Sequence, residues 1–198
     1  IDVVPITREG NRLVVGGTGI PVEYAVRMHQ FDPSQELAAL LDEHAVTPGD
    51  MNSIAQQVAT SHLRAAVAPA DSLFGSFEKV RAPMLDNFTL LRSQLQDPEE
   101  LRQLERLAGW CADSLARLEP EIRARLRSGM VRECHGDLHA RNIVRWRQQW
   151  LPFDCLEFDP DLRWIDVISD VAFLYMDLVS RHRADLACEF LSRYLEGT

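Results

Sequence analysis

The stretch His135-Gly136-Asp137-Leu138-His139-Ala140-Arg141-Asn142 decides how this chain is read. It sets an acid and an amide five residues apart, and a second acid, Asp154, follows twelve residues after the amide. Three oxygen-bearing side chains at that spacing fit phosphoryl transfer first. Phosphoryl transfer needs a carboxylate to orient an attacking hydroxyl, and an amide oxygen with a second carboxylate to hold magnesium against phosphates. Asp137, Asn142 and Asp154 supply those groups.

The flanking residues read as short strands: 130–134, 143–146 and 150–153, with the polar Arg147-Gln148-Gln149 turning between the last two. In such a hairpin Asn142 stands before one strand and Asp154 after its partner, so both reach the same end.

The segment matches the His-x-Asp-Leu-x-x-x-Asn signature of protein-kinase catalytic loops at each fixed position, with Gly136 where protein kinases usually carry Arg. Average residue usage gives such a match by accident in roughly one chain of this length in a thousand. The loop resembles most the aminoglycoside phosphotransferase-like branch of the kinase superfamily, whose version commonly reads His-Gly-Asp-Leu-His-x-x-Asn. Phe153-Asp154-Cys155-Leu156-Glu157-Phe158, followed by Asp166-Val167-Ile168-Ser169-Asp170-Val171-Ala172-Phe173, is similar to a subgroup of uncharacterised bacterial members, some fused to a P-loop ATPase domain. The resemblance is strongest over residues 131–178. It implies an α/β (α+β) fold of the bilobal, protein-kinase-like kind: a partial β lobe over residues 1–30 and a mainly helical lobe over 31–198, incomplete at both ends of the chain. It further implies Asp137 as catalytic base, Asn142 and Asp154 as magnesium ligands, and Asp170 as a structural acid bracing the loop from a helix start. Phe153-Asp154-Cys155 lacks the Gly of Asp-Phe-Gly, so a mobile switch of the protein-kinase type is not expected.

Upstream, 22–28 alternates as a strand and resembles the family's Val-Ala-Ile-Lys, with Arg27 in place of the Lys that reaches the nucleotide phosphates. Arg keeps the charge, but its planar fork does not simply replace an ammonium. The alternative is an exposed strand cation. Glu36, on a helix expected from Pro33 to Leu41, is the candidate partner of Arg27, with Glu43 close behind. Gly16-Gly17-Thr18-Gly19 reads as the turn of a hairpin between strands 12–15 and 22–26, in preference to a phosphate cradle. No Gly-Lys-Ser/Thr is present, which excludes a P-loop NTPase for this chain.

Further helices are marked by their caps. Thr47-Pro48-Gly49-Asp50 opens one whose buried face carries Ile54, Val58, His62 and Ala65, with His62 read as a hydrogen-bonded core residue. Asp97-Pro98-Glu99-Glu100 opens the clearest, where Leu101, Leu104, Ala108, Cys111, Leu115, Leu118 and Ile122 alternate steps of three and four. That stripe is expected to bury the helix in the larger lobe, the pattern meeting Pro120. A last helix is expected to run from Asp166 to Tyr194.

His135 and His139 with Asp137 also suggest a hydrolase metal cluster, the main enzymatic rival. His29, His44, His62 and His182 supply no matching ligands, so His135 is read as packing beneath the loop and His139 as lining the phosphate site. Glu157, Asp159 and Asp161 are either further contacts or a solvated turn around Pro160.

The formal net charge is −9, from 30 acidic and 21 basic side chains, which argues against a nucleic-acid partner and tolerates a cationic one. No run is long enough to span a bilayer, so no membrane partner and a cytoplasmic setting are expected. Cys111, Cys134, Cys155 and Cys188 are widely spaced and read as reduced and mostly buried. The expected function is ATP- and magnesium-dependent phosphorylation of a small hydroxylated molecule. A catalytically weak nucleotide-binding or regulatory module is the second expectation, and a fused or separate nucleotide-binding domain a possible partner.

Overall fold

A computed structural model describes residues 2–198, a mixed α/β chain that is mostly helical with small sheets. It divides into two compact units, one ending at Ser34 and one from Gln35 to Thr198.

The first unit is a three-stranded antiparallel sheet of β1 (Asp2–Glu9), β2 (Arg12–Val15) and β3 (Pro21–Arg27), in the order β2-β1-β3. The expected hairpin between 12–15 and 22–26 is therefore not formed, because β1 lies between those strands. The glycine-rich link crosses β1 instead. Crossing that closely demands small residues: a Cβ on Gly17 would fall 2.1 Å from Thr7 Oγ1, and one on Gly19 would fall 2.9 Å from the Arg8 carbonyl. The link thus covers Thr7, which is fully buried.

In the second unit the expected helix 33–41 is split. Pro33–Gln35 forms a 3-10 turn, Glu36 is extended (φ −63°, ψ 142°), and α1 is only Leu37–Asp42. Glu36 takes the extended form because its backbone bridges to Val144. α2 (Pro48–Arg64) opens on a capping box in which Thr47 accepts from the Asp50 amide and Asp50 accepts from that of Thr47. Ile54, Val58 and His62 are buried on its inner face, while Ala65 ends the helix.

α3 (Phe77–Gln94) and α4 (Pro98–Arg127) pack as a helical hairpin. The α4 stripe does not enter the main core. It faces α3, where Phe77, Cys111 and Leu115 make a small separate core, and Leu118 stays exposed. Pro120 sits within α4 without ending it.

β4 (Val131–Glu133) leads into the 135–142 loop, and β5 (Ile143–Trp146) with β6 (Gln149–Pro152) forms the expected hairpin in the register Trp146 to Gln149. Arg147 and Gln148 turn it with φ of 49° and 64°, a two-residue turn of the primed type. After α5 (Pro160–Arg163), β7 (Trp164–Asp166) pairs antiparallel with β4.

The single helix expected from Asp166 to Tyr194 is two helices, α6 (Val167–Ser180) and α7 (Ala184–Glu196). The chain turns at His182, whose φ of 60° lets the His182 amide bond to the Val179 carbonyl and that of Arg183 to Leu178. That is the Schellman pattern with His where Gly is usual. The fold back closes a core drawn from α1, α2, α6, α7, the loop and the β5-β6 hairpin, with Met51, Leu138, Ile143, Leu174 and Phe190 at its centre. Two cysteines, Cys111 and Cys134, are buried, but Cys155 and Cys188 are exposed, against the expectation that most are covered.

Candidate active site

Gly136 shows why the loop has its sequence. Its φ is +85°, and a Cβ there would approach the Leu162 carbonyl to 2.5 Å. Only glycine combines that backbone with that contact.

Asp170, in the first turn of α6, holds the loop's entry. Its side chain is 1% exposed and accepts from the His135 amide (3.1 Å), the Gly136 amide (3.0 Å) and His62 Nε2 (3.0 Å). A buried carboxylate survives only with such compensation. With Nε2–H donating to Asp170, His62 Nδ1 is left as the acceptor for the Tyr194 hydroxyl at 2.9 Å. Burial above all, with Cys134, Asp166 and Asp170 nearby, pushes the Tyr194 phenol up to about 12. Burial, with Asp170 and Asp166 nearby, likewise pushes the Cys134 thiol up, so it stays protonated. His62, Cys134 and Asp170 lie close enough to suggest a metal site. The hydrogen bonds already made by His62 and Asp170 account for both side chains without one.

On the loop itself, Asn142 Nδ2 donates to the Asp137 carbonyl (3.0 Å) and to Asp137 Oδ2 (3.1 Å). His139 Nδ1 accepts from the Arg141 amide at 3.2 Å, which leaves Nε2 carrying the proton, 3.4 Å from the same Asp137 oxygen. Asp137 Oδ2 thus faces both Asn142 Nδ2 and His139 Nε2. The Asn142 nitrogen is committed to these two bonds, so its side-chain oxygen is the atom that could hold a cation.

His135 donates from Nε2 to the Phe153 carbonyl at 2.7 Å, and its Nδ1 lies 3.4 Å from the Asp137 amide. The Phe153 amide in turn donates to the Asn142 carbonyl, and the Leu156 amide to that of His135. These bonds tie the residue before Asp154 to both ends of the loop. Asp154 is exposed with φ 59°, a left-handed conformation that Asp tolerates better than most residues. Both ring nitrogens of His135 face the backbone, and His139 Nδ1 does too, so among the described residues these histidines do not assemble the ligand set of a dinuclear hydrolase. Asn142 and Asp154 are hard oxygen donors, which suits magnesium over softer ions.

Other singled-out residues have plainer roles. Asp159 accepts from the Asp161 amide as the cap of α5, and Asp161 is paired with Lys79. In the first unit Arg27 is ion-paired at 2.8 Å to Asp2, its cross-strand neighbour, and both side chains are well exposed. Glu36 belongs to the second unit, at the N-cap of α1.

One residue escaped the sequence reading. Asp177, two turns after Asp170 on α6, accepts from the Ala140 amide at 2.8 Å. Its spacing of seven from Asp170 puts both acids on one helix face, a signal visible only once Asp170 is given a role. Asp177 also walls a cleft of about 450 Å³ lined by His139, Arg141, Phe173, Met176 and Arg181.

No family model matches the chain. It is similar to uncharacterized proteins of Mycobacterium tuberculosis and Mycobacterium bovis, 29% identical over 179 residues. Those residues are 90% of this chain and 35% of the relatives, so the chain spans about a third of the length of the curated relatives it matches. Among the described residues no helix is long and apolar enough to cross a membrane.

Proposed function

We propose that this chain is the catalytic part of a cytoplasmic phosphotransferase of the bilobal, protein-kinase-like kind, resembling the aminoglycoside phosphotransferase branch. It uses ATP and magnesium to phosphorylate a hydroxyl of a small molecule. The observation that carries the reading is the 3.1 Å contact between Asp137 and Asn142 on a loop whose entry amides rest on one buried carboxylate. Such wiring fixes the direction of the two side chains before any substrate arrives. Phosphoryl transfer is mostly positioning and charge neutralisation, so that is what the protein has to provide.

Asp137 orients the acceptor hydroxyl and takes its proton as that oxygen bonds to the γ-phosphorus of ATP and the bond from that phosphorus to the β,γ-bridging oxygen breaks, releasing ADP. His139 Nε2–H lies beside the same carboxylate and keeps it turned. Asn142 and Asp154 would hold magnesium, which when bound neutralises phosphate charge. Arg27 is the proposed phosphate contact of the first unit, and its exposed ion pair with Asp2 competes for that role. This pairing favours a second reading, a nucleotide-binding module with weak catalysis. Relatives about two and a half times as long leave room for a fused nucleotide-binding domain. The acceptor's identity does not follow from fold. Aminoglycosides enter by resemblance alone.

Transfer of labelled phosphate from ATP to a panel of hydroxylated acceptors tests the reading. Activity lost in Asp137→Asn and on chelation of magnesium supports the enzyme. Nucleotide binding without turnover supports the module instead, and neither binding nor turnover removes both.

A further inference from the structure

Asp177 plays no part in the mechanism above, yet it is wired to the loop's far end. Its Oδ2 accepts from the Ala140 amide at 2.8 Å, and its Oδ1 accepts from Arg181 Nε at 3.0 Å. Arg181 also reaches Asp42, the last residue of α1, at 3.3 Å. Ala140 is fully buried and opens the 3-10 turn Ala140–Asn142, whose first amides have no partner inside the turn. Asp177 satisfies the first of these, and His139 Nδ1 the next.

The consequence is geometric. Asp170 grips the amides of residues 135 and 136, and Asp177 grips that of residue 140, so one face of one helix holds the loop on both sides of Asp137. A helix fixes the distance between two acids seven apart more firmly than a loop can. The spacing between Asp137 and Asn142 is thereby set from outside the loop. With only Asp170, the entry would be fixed while the turn bearing Asn142 was held from its far side alone, by the Phe153 amide on the Asn142 carbonyl.

We propose that Asp177 is a positioning residue: acting through the Ala140 amide, and oriented by Arg181, it sets the direction of Asn142 and His139 relative to Asp137. The inference rests on the proposed phosphotransferase reading for its kinetic consequence, but not for its structural one. The hydrogen bond needs only an acceptor oxygen, so Asp177→Asn should serve largely in place of Asp, whereas Asp177→Ala leaves a buried amide unpaired.

The full chain, Asp177→Asn and Asp177→Ala would be compared in three measurements: kcat and KM for ATP, manganese affinity with a non-hydrolysable ATP analogue by electron paramagnetic resonance, and hydrogen exchange at the Ala140 amide. Outer-shell changes of this kind cost about ten- to a hundredfold in activity or metal affinity. The expected result is a drop of that size in kcat and manganese affinity for Asp177→Ala, with faster exchange at Ala140 and KM for ATP within about twofold, and near recovery in Asp177→Asn. Equal loss in both variants, or unchanged kcat and manganese affinity in Asp177→Ala, would overturn the proposal. If the unaltered chain binds manganese-nucleotide but transfers nothing, the proposed function fails alone and the manganese arm still decides Asp177. If it binds none, the proposed function fails with the kinetic side of the inference, and exchange at the Ala140 amide alone decides whether Asp177 holds the turn.

Discussion

At Gly136 the loop sequence and the loop geometry meet in one atom. The position needs φ near +85° and has no room toward the Leu162 carbonyl, so Gly136→Ala incurs backbone strain and a clash together. We expect a loss of at least about 2 kcal/mol, seen as a lower urea midpoint at unchanged slope. A shift under about 0.5 kcal/mol would mean that the loop relaxes freely there. Tyr194 gives a second test. Its folded pKa of about 12 lies above the ordinary value near 10, so above pH 10 the unfolded chain loses the phenolic proton first. The stabilisation is complete below pH 10 and is lost as pH rises toward 12. Tyr194→Phe lacks this response and also loses the bond to His62, worth about 1 kcal/mol at neutral pH. The stability difference between the wild type and Tyr194→Phe should therefore shrink between pH 10 and 12. A constant gap across that range would show that Tyr194 ionises as freely when folded as when unfolded. That Asp137 and Asn142 meet was legible because an acid and an amide five residues apart on a short polar loop stand out along the chain, and their side chains lie 3.1 Å apart. Asp177 was not, because its partner is a backbone amide 37 positions away, and an amide leaves no mark on sequence.

Elements were legible where their signals are local. Thr47-Pro48 and Asp97-Pro98 mark helix starts through caps that involve only the next three residues, and the β5-β6 hairpin shows as two apolar runs around polar ones. They were missed where the stop signal is atypical. His182 ends α6 in a left-handed conformation without being Gly, so the apolar pattern ran on through it to Tyr194. α3 carries Pro83 and a weak stripe, and it is held by α4 more than by its own pattern. β7 pairs with β4 across more than thirty residues, a pairing set by tertiary context. The atypical stop predicts its own improvement. His182→Gly removes the Cβ penalty of the left-handed form, about 1 kcal/mol, partly offset by the freer unfolded chain. A net gain near 0.5 kcal/mol should raise the thermal midpoint by about 1–2 °C in a chain of this size. A lowered midpoint would show that the His182 side chain contributes more than its conformation costs.

For the molecule as a whole, composition allowed one domain or two small lobes, and hydrophobic content could not choose between them. The distribution of burial does choose. Every residue of the main core lies between Leu37 and Tyr194, while among the described residues up to Ser34 only Val4 and Thr7 are buried. Val3, Leu13, Val15, Tyr24 and Val26 of that sheet are exposed. A three-stranded sheet that buries so little cannot offset its own chain entropy, which costs about 1–2 kcal/mol per ordered residue for the backbone. The 164 residues from Gln35 have a core of ordinary kind for their size. We therefore expect a chain beginning at Gln35 to unfold in urea as one cooperative transition, and the excised 34-residue segment to show none. Within the longer piece the α3-α4 hairpin rests on its own small core, so its amides should exchange at lower protection than those of α2 and α6. Loss of cooperativity on removing the first 34 residues would show that the sheet is part of the folding unit, and the division at Ser34 would then describe contacts but not stability.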